Sequence, residues 1–178
     1  MDTFTFALNF SKKLQLCRDL YIKKALDYGS SWRILRLSSL DDQMYIKAVR
    51  LKTLRETGVA KVDEPVDDAF IALVNYSLIA LIQMRLSEDA PLKLSPQKCV
   101  DLVDQSIDEV LDYTMQVVKN TDRLERIPVA SLEATILQSL EELTDEENPL
   151  HDRALHYYKI VFYSIFALIK LQPNTYIP

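Results

Sequence analysis

DEPVDDAFIALVNYSLIALIQMRL, residues 63–86, is the stretch on which the reading of this chain turns. Acids and a proline open it, with Pro65 suited to the first turn of a helix. The residues that follow are apolar nearly all the way round a helical repeat (FIALV, then LIALI). A helix of this kind has to be covered on several sides. The end of the chain repeats it: NYSLIALIQM (75–84) lies over FYSIFALIKL (162–171) at an offset of 87 residues. IKAVRLKTLRE (46–56) also lies over LEATILQSLEE (132–142) at an offset of 86, and Leu-Asp-Tyr recurs at 26–28 and 111–113. Chance likeness between amphipathic helices competes with an internal duplication.

Working outward, apolar periodicity marks six helices, at about 5–28, 40–58, 64–86, 96–119, 128–143 and 149–171. Gly29 stands where a left-handed helix terminator is expected. The expectation is an all-α protein, a six-helix bundle built from two degenerate three-helix repeats. Residues 1–86 form the first repeat, 87–96 a linker and 97–178 the second. In the 178 residues only Gly29 and Gly58 are glycines. Hairpins and phosphate-cradling loops need more, so β-sandwiches, dinucleotide-binding α/β domains and P-loop enzymes are disfavoured. If the repeats are real, Glu64 corresponds to His151, Asp68 to Leu155 and Asn75 to Phe162. The second copy then keeps its packing and loses its polar positions.

Cys17 and Cys99 stand far apart with no Cys-x-x-Cys motif, which points to a reducing, cytoplasmic setting rather than a disulfide or zinc scaffold. Phe70 to Ile82 is interrupted by Asn75 and reads as too short and too polar to span a bilayer. Net charge is −5, unevenly placed. Residues 1–86 carry 13 Lys/Arg against 10 Asp/Glu (+3), and residues 87–178 carry 8 against 16 (−8). Either this is uneven drift on solvated faces or an anionic ligand belongs in the first half. Nothing forms the continuous basic stripe that extended duplex DNA requires.

Polar residues interrupt the apolar faces of the first three helices. At about 100° per residue, Glu64, Asp68 and Asn75 share a stripe with Ile71, Leu78 and Ile82. Acids at a helix start can serve as caps and complement its dipole. Asn75 lies two turns further in, where capping does not reach. Lys24 falls within the apolar stripe of the first helix. Lys47 falls within that of the second, with Arg50 at its edge. Internal ion pairs and a preorganised anion site both fit this pattern. Between helices, Trp32 and Arg33 follow Tyr28, an aromatic and guanidinium pairing that suits a stacked base with its phosphate. Trp32 can equally plug the core. His151 and His156 are too isolated for a metal or catalytic role.

The run KKALDYGSSWRILRLSSLDDQMYIKAVRLKTL, with DEPVDDAFIALVNYSLIAL after it, resembles the nucleotide modification associated domain 1 family over roughly residues 10–86. Lys24, Asp27, Tyr28, Gly29, Trp32, Arg33, Lys47, Arg50, Asp68, Asn75 and Tyr76 stand at its polar or signature positions. The resemblance implies a helical protein that handles modified nucleotides. More distantly, EPVDDAFIALVNY (64–76) is similar to the second acidic helix of the MazG-like all-α nucleoside triphosphate pyrophosphohydrolases. There carboxylates followed by Leu-Val-Asn hold magnesium. The acidic cluster those enzymes carry on the preceding helix is absent here, where Lys47 and Arg50 stand instead.

These likenesses imply a nucleotide-binding protein, with magnesium-dependent cleavage of a (deoxy)nucleoside triphosphate as the leading chemistry. Glu64 and Asp68 would be catalytic and, with Asp67, would hold the magnesium. Lys24, Lys47, Arg50 and Arg33 would neutralise phosphates, Tyr28 or Trp32 would stack on the base, and Asp27 and Asn75 would complete the substrate contacts. The likeness to enzymes whose subunits share a core implies a covalent pseudo-dimer within the chain, and a homodimer between chains. A non-catalytic nucleotide-binding module and a purely structural helical protein are the readings from other classes.

Overall fold

The computed structural model describes residues 3–59, 65–87, 89–118, 124–144 and 150–171. The described residues form six long helices and include no strand. The helices are α1 (Thr3–Tyr28), α2 (Leu37–Thr57), α3 (Val66–Arg85), α4 (Pro96–Val117), α5 (Val129–Leu143) and α6 (Leu150–Lys170). A single 3₁₀ turn, Ser31–Ile34, joins α1 to α2. Gly29 and Gly58 follow α1 and α2 with φ of 64° and 66°. A side chain at either position would meet no neighbour. The left-handed backbone alone therefore favours glycine there. Ser95 caps α4 by accepting the backbone hydrogen of Lys98 at 3.2 Å, with Pro96 at the first helical position.

The third helix of each half is the most enclosed. Phe70, Leu73, Val74, Leu78 and Ile82 of α3 have no exposed surface, and neither do Ile160, Val161 and Ile165 of α6. The two helices pack on each other at the centre. Each large apolar side chain sealed there contributes about 2 kcal/mol. α3 extends beyond the Phe70–Ile82 run on both sides: its 20 residues are long and apolar enough, by length and composition, to cross a bilayer. Here that apolar surface is spent on the core.

Neighbour relations between the helices come in matched pairs. α2 packs on α3 as α5 packs on α6, and α1 touches α3 and α6 as α4 touches α6 and α3. Across the middle α1 meets α4, α2 meets α5 and α3 meets α6. Exchanging α1–α3 with α4–α6 leaves this pattern unchanged, as two like units facing each other would. At the offset of 87 residues, Gln83 and Lys170 even perform parallel tasks. Gln83 donates to the carbonyls of Trp32, Arg33 and Leu35, and Lys170 to that of Glu125, each reaching the chain that precedes the second helix of its own half.

Part of the uneven charge of the two halves goes into contacts between them. Arg18 pairs with Asp104 (2.8 Å from Nη2 to Oδ2), Arg55 with Glu133 (2.7 Å) and Arg85 with Glu109 (2.7 Å). In the opposite sense, Arg153 pairs with Asp41. A helix starting at about residue 40 would place Asp41 in its first turn; α2 begins at Leu37, and Asp41 is buried on the same face as Leu40, Met44 and Ala48. Desolvation raises its pKa, against the opposing pull of Tyr157 and Arg153. Both cysteines are buried and unpaired.

Candidate functional site

One cavity of about 570 Å³ opens between α1, the 3₁₀ turn, α2 and α3. α1 contributes Leu20, Tyr21, Lys24, Ala25 and Tyr28, with Gly29 and Ser31 just beyond it. Trp32 forms a wall from the 3₁₀ turn, and Lys47 enters from α2. α3 supplies Asp68, Ile71, Ala72, Asn75, Tyr76 and Ile79, successive turns of one face. The expected stripe on α3 is therefore rotated: Leu78 and Ile82, placed on the polar face by arithmetic, are sealed in the core.

Of the side chains expected at a site, Lys24, Tyr28, Trp32, Lys47, Asp68 and Asn75 meet in this cavity. Trp32 is 9% exposed and packs beside Tyr21, with ring centroids 6.5 Å apart. It thus serves both of the roles weighed for it, core plug and cavity wall. Tyr28 is 73% exposed, a ring at the rim free to cover a flat ligand. The oxygen Oδ1 of Asn75 is buried and has no hydrogen-bond partner among the described residues.

Other expected residues are elsewhere. The guanidinium of Arg33 turns away, donating to Gln83 Oε1 and, at 3.0 Å, to the carbonyl of Ala90. Its visible work is to hold the 3₁₀ turn that presents Trp32. Arg50, one turn along α2 from Lys47, is partly buried and does not line the cavity, nor does exposed Asp27. Asp67 is exposed and also outside it: neighbouring residues on a helix point about 100° apart, so Asp67 and Asp68 cannot both face in. Glu64 lies outside the described residues. Both Asp67 and Asp68 sit in the first turn of α3, where their charge suits the helix dipole. No group of three His, Cys, Asp or Glu side chains that could hold a metal occurs among the described residues.

Leu20 and Tyr21 are among the wall residues that read as packing in the sequence. The signal that marks them is their position one turn before Lys24 on the same face. At the corresponding place in the second half, aromatic rings pack closely. Phe162, 87 residues after Asn75, is buried and contacts Tyr113 edge-on with centroids 6.4 Å apart, and Tyr113 stacks on Tyr158 at 5.8 Å.

Residues 24–84 match the family model described as nucleotide modification associated domain 1. No curated protein and no solved structure matches the chain.

Proposed function

We propose that the cavity binds a nucleotide, on the premise that the segment matching the nucleotide modification associated domain is the one that builds it. All the wall residues except Leu20 and Tyr21 lie within residues 24–84. The observation that carries the reading is the convergence of two lysines with Tyr21, Tyr28, Trp32 and Tyr76 on one concave space. Lys24 and Lys47 supply positive charge for a phosphate, and the rings supply faces for a base. A nucleotide is the common ligand that needs both at once.

The described residues do not by themselves fit a resident magnesium ion. Asp68 is the one carboxylate among them that reaches the cavity. A divalent ion normally requires more oxygen ligands than this. We therefore derive no step through a metal. Cleavage of a nucleoside triphosphate to release pyrophosphate is a second reading, favoured by the position of Asp68 in the same cavity as the lysines. Pyrophosphate release in a nucleoside triphosphate panel with magnesium tests it. Turnover lost in Asp68→Ala supports it, and turnover indifferent to that change rejects Asp68 as its centre.

Binding itself is tested by thermal unfolding against nucleoside mono- and triphosphates, with magnesium or with EDTA. A ligand at about a hundred times its Kd stabilises by about 2.7 kcal/mol, which in a chain of this size is about 5–10 °C. No shift with any nucleotide overturns the proposal.

A further inference from the structure

Three side chains lining the cavity hold buried polar atoms with no partner among the described residues: Tyr21 (the hydroxyl), Trp32 (Nε1) and Asn75 (Oδ1), of which Asn75 Oδ1 alone can only accept. The Asn75 carboxamide lines the cavity, yet Oδ1 is buried and accepts no hydrogen bond from any described residue. Its wall neighbours Ile71, Ala72 and Ile79 are apolar. Leucine would fill the same volume without burying an acceptor, and such groups are normally satisfied in native proteins. Phe162, at the equivalent position of the second half, is a wholly apolar solution to the same packing problem. The arrangement leaves an acceptor in the cavity wall that a hydrogen donor on a bound ligand can satisfy.

Phosphate is a poor donor, because its second ionisation lies at about 6 and its oxygens mainly accept above that pH. Sugar hydroxyls do donate, and the comparison with ribose 5-phosphate separates them from the base. The lysines answer the anion and leave Oδ1 unanswered. Resting on the nucleotide reading above, we infer that Asn75 reads the nucleobase. Oδ1 accepts an amino or ring N–H hydrogen from the base edge, and the amide nitrogen donates to the adjacent ring nitrogen or carbonyl. Every common base presents a neighbouring donor and acceptor of this kind, and amide side chains pair with them in two-pronged fashion. Asn75 is on this account a base-recognition residue, one that tells a nucleotide from a bare sugar phosphate, separate from the charge that Lys24 and Lys47 provide.

Titration calorimetry with adenosine, guanosine, cytidine, uridine and thymidine 5′-monophosphates, and with ribose 5-phosphate, tests it on the full chain. Asn75→Leu is expected to weaken the best-bound monophosphate by about ten-fold or more, while changing ribose 5-phosphate less than about two-fold. Lys47→Ala is expected to weaken both. Unliganded Asn75→Leu is also expected to unfold about 2–4 °C higher than the wild-type chain, since it removes an unpaired buried acceptor. Should Asn75→Leu not fold, Asn75→Ala takes its place in the binding comparison. Equal weakening of nucleotide and sugar phosphate, or no weakening of either, overturns the inference alone. A wild-type chain that binds none of the five monophosphates and none of the corresponding triphosphates overturns the nucleotide reading as well.

Discussion

Tyr157 on α6 donates its hydroxyl hydrogen to Oδ1 of Asp41 on α2, at 2.8 Å. Arg153, one turn earlier on α6, holds Oδ2 of the same carboxylate and also donates to the carbonyl of Leu143 at 2.8 Å. Asp41 and Tyr157 are buried, so this is a charged bond made away from water between the two halves. Burial pushes the Tyr157 hydroxyl well above its ordinary range, which keeps it a donor.

Arg153→Met is expected to cost about 3–5 kcal/mol near pH 8, because it strands a buried carboxylate. The cost shrinks on acidification. Asp41 already titrates above its ordinary 3.8 through desolvation, and loss of the arginine raises it further. Between the ordinary value and the raised one, the folded state holds more protons than the unfolded chain, so stability falls as pH rises. Urea unfolding of variant and parent at pH 5 and pH 8 checks this. An equal loss at both pH values is the contrary result.

Neither half should fold alone. Separation would expose the inner faces of α3 and α6 and break Arg18–Asp104, Arg55–Glu133, Arg85–Glu109 and Asp41–Arg153. Residues 1–88 expressed alone are expected to lack a cooperative thermal transition, and coexpression with 89–178 to restore one in a 1:1 complex. A soluble, cooperatively unfolding, monomeric 1–88 fragment would show that the first half carries its own core.

Trp32 is the single tryptophan of the chain, and it forms part of the cavity wall. Nucleotide binding is therefore expected to quench its fluorescence, through contact between base and indole. Gln83→Ala should shift the emission of the unliganded protein to the red. Gln83 accepts from Arg33 and donates to three carbonyls of the turn that holds Trp32, at 2.9 to 3.3 Å. Unchanged emission in Gln83→Ala would mean that the turn is held by other contacts.

His156 is buried, with Nδ1 3.3 Å from Oε2 of Glu142. Its pKa is lowered by desolvation and by Lys159, with Glu142 opposing. Below the ordinary 6.5 the unfolded chain takes up the proton first, so stability falls as pH drops from there to the lowered value. His156→Gln is expected to flatten that part of the stability curve, as measured by chemical unfolding from pH 7 down to pH 5. The same slope in both proteins would place its origin elsewhere.

Much of the architecture was legible because helical periodicity is a local property. Where Phe70, Leu73 and Val74 crowd one turn of α3, that turn is core in any compact fold. The cavity was legible in part for the same reason: Lys24, Lys47 and Asn75 interrupt apolar stripes, and interruptions are visible without knowing what faces them. Arg33 shows where this ends. Its spacing beside Trp32 fits a phosphate contact, yet it is committed to Gln83 and to the carbonyl of Ala90, 50 and 57 residues away.

The sequence by itself determined the helical class, the enclosed third helices, the glycine-terminated ends of α1 and α2 and most of the cavity's polar side chains. These follow from backbone preference and from which faces of a helix shun water, both set within a few turns. Tertiary structure alone decided which charges are spent on holding the halves together and which line a cavity. It turned Arg33 away, buried Asp41 against Arg153 and left Asn75 Oδ1 without a partner among the described residues. The reason is physical: a hydrophobic face specifies burial against almost any apolar surface, whereas a charge or an amide is satisfied only by a particular partner at hydrogen-bond distance, and that partner is chosen by packing between residues far apart in the chain.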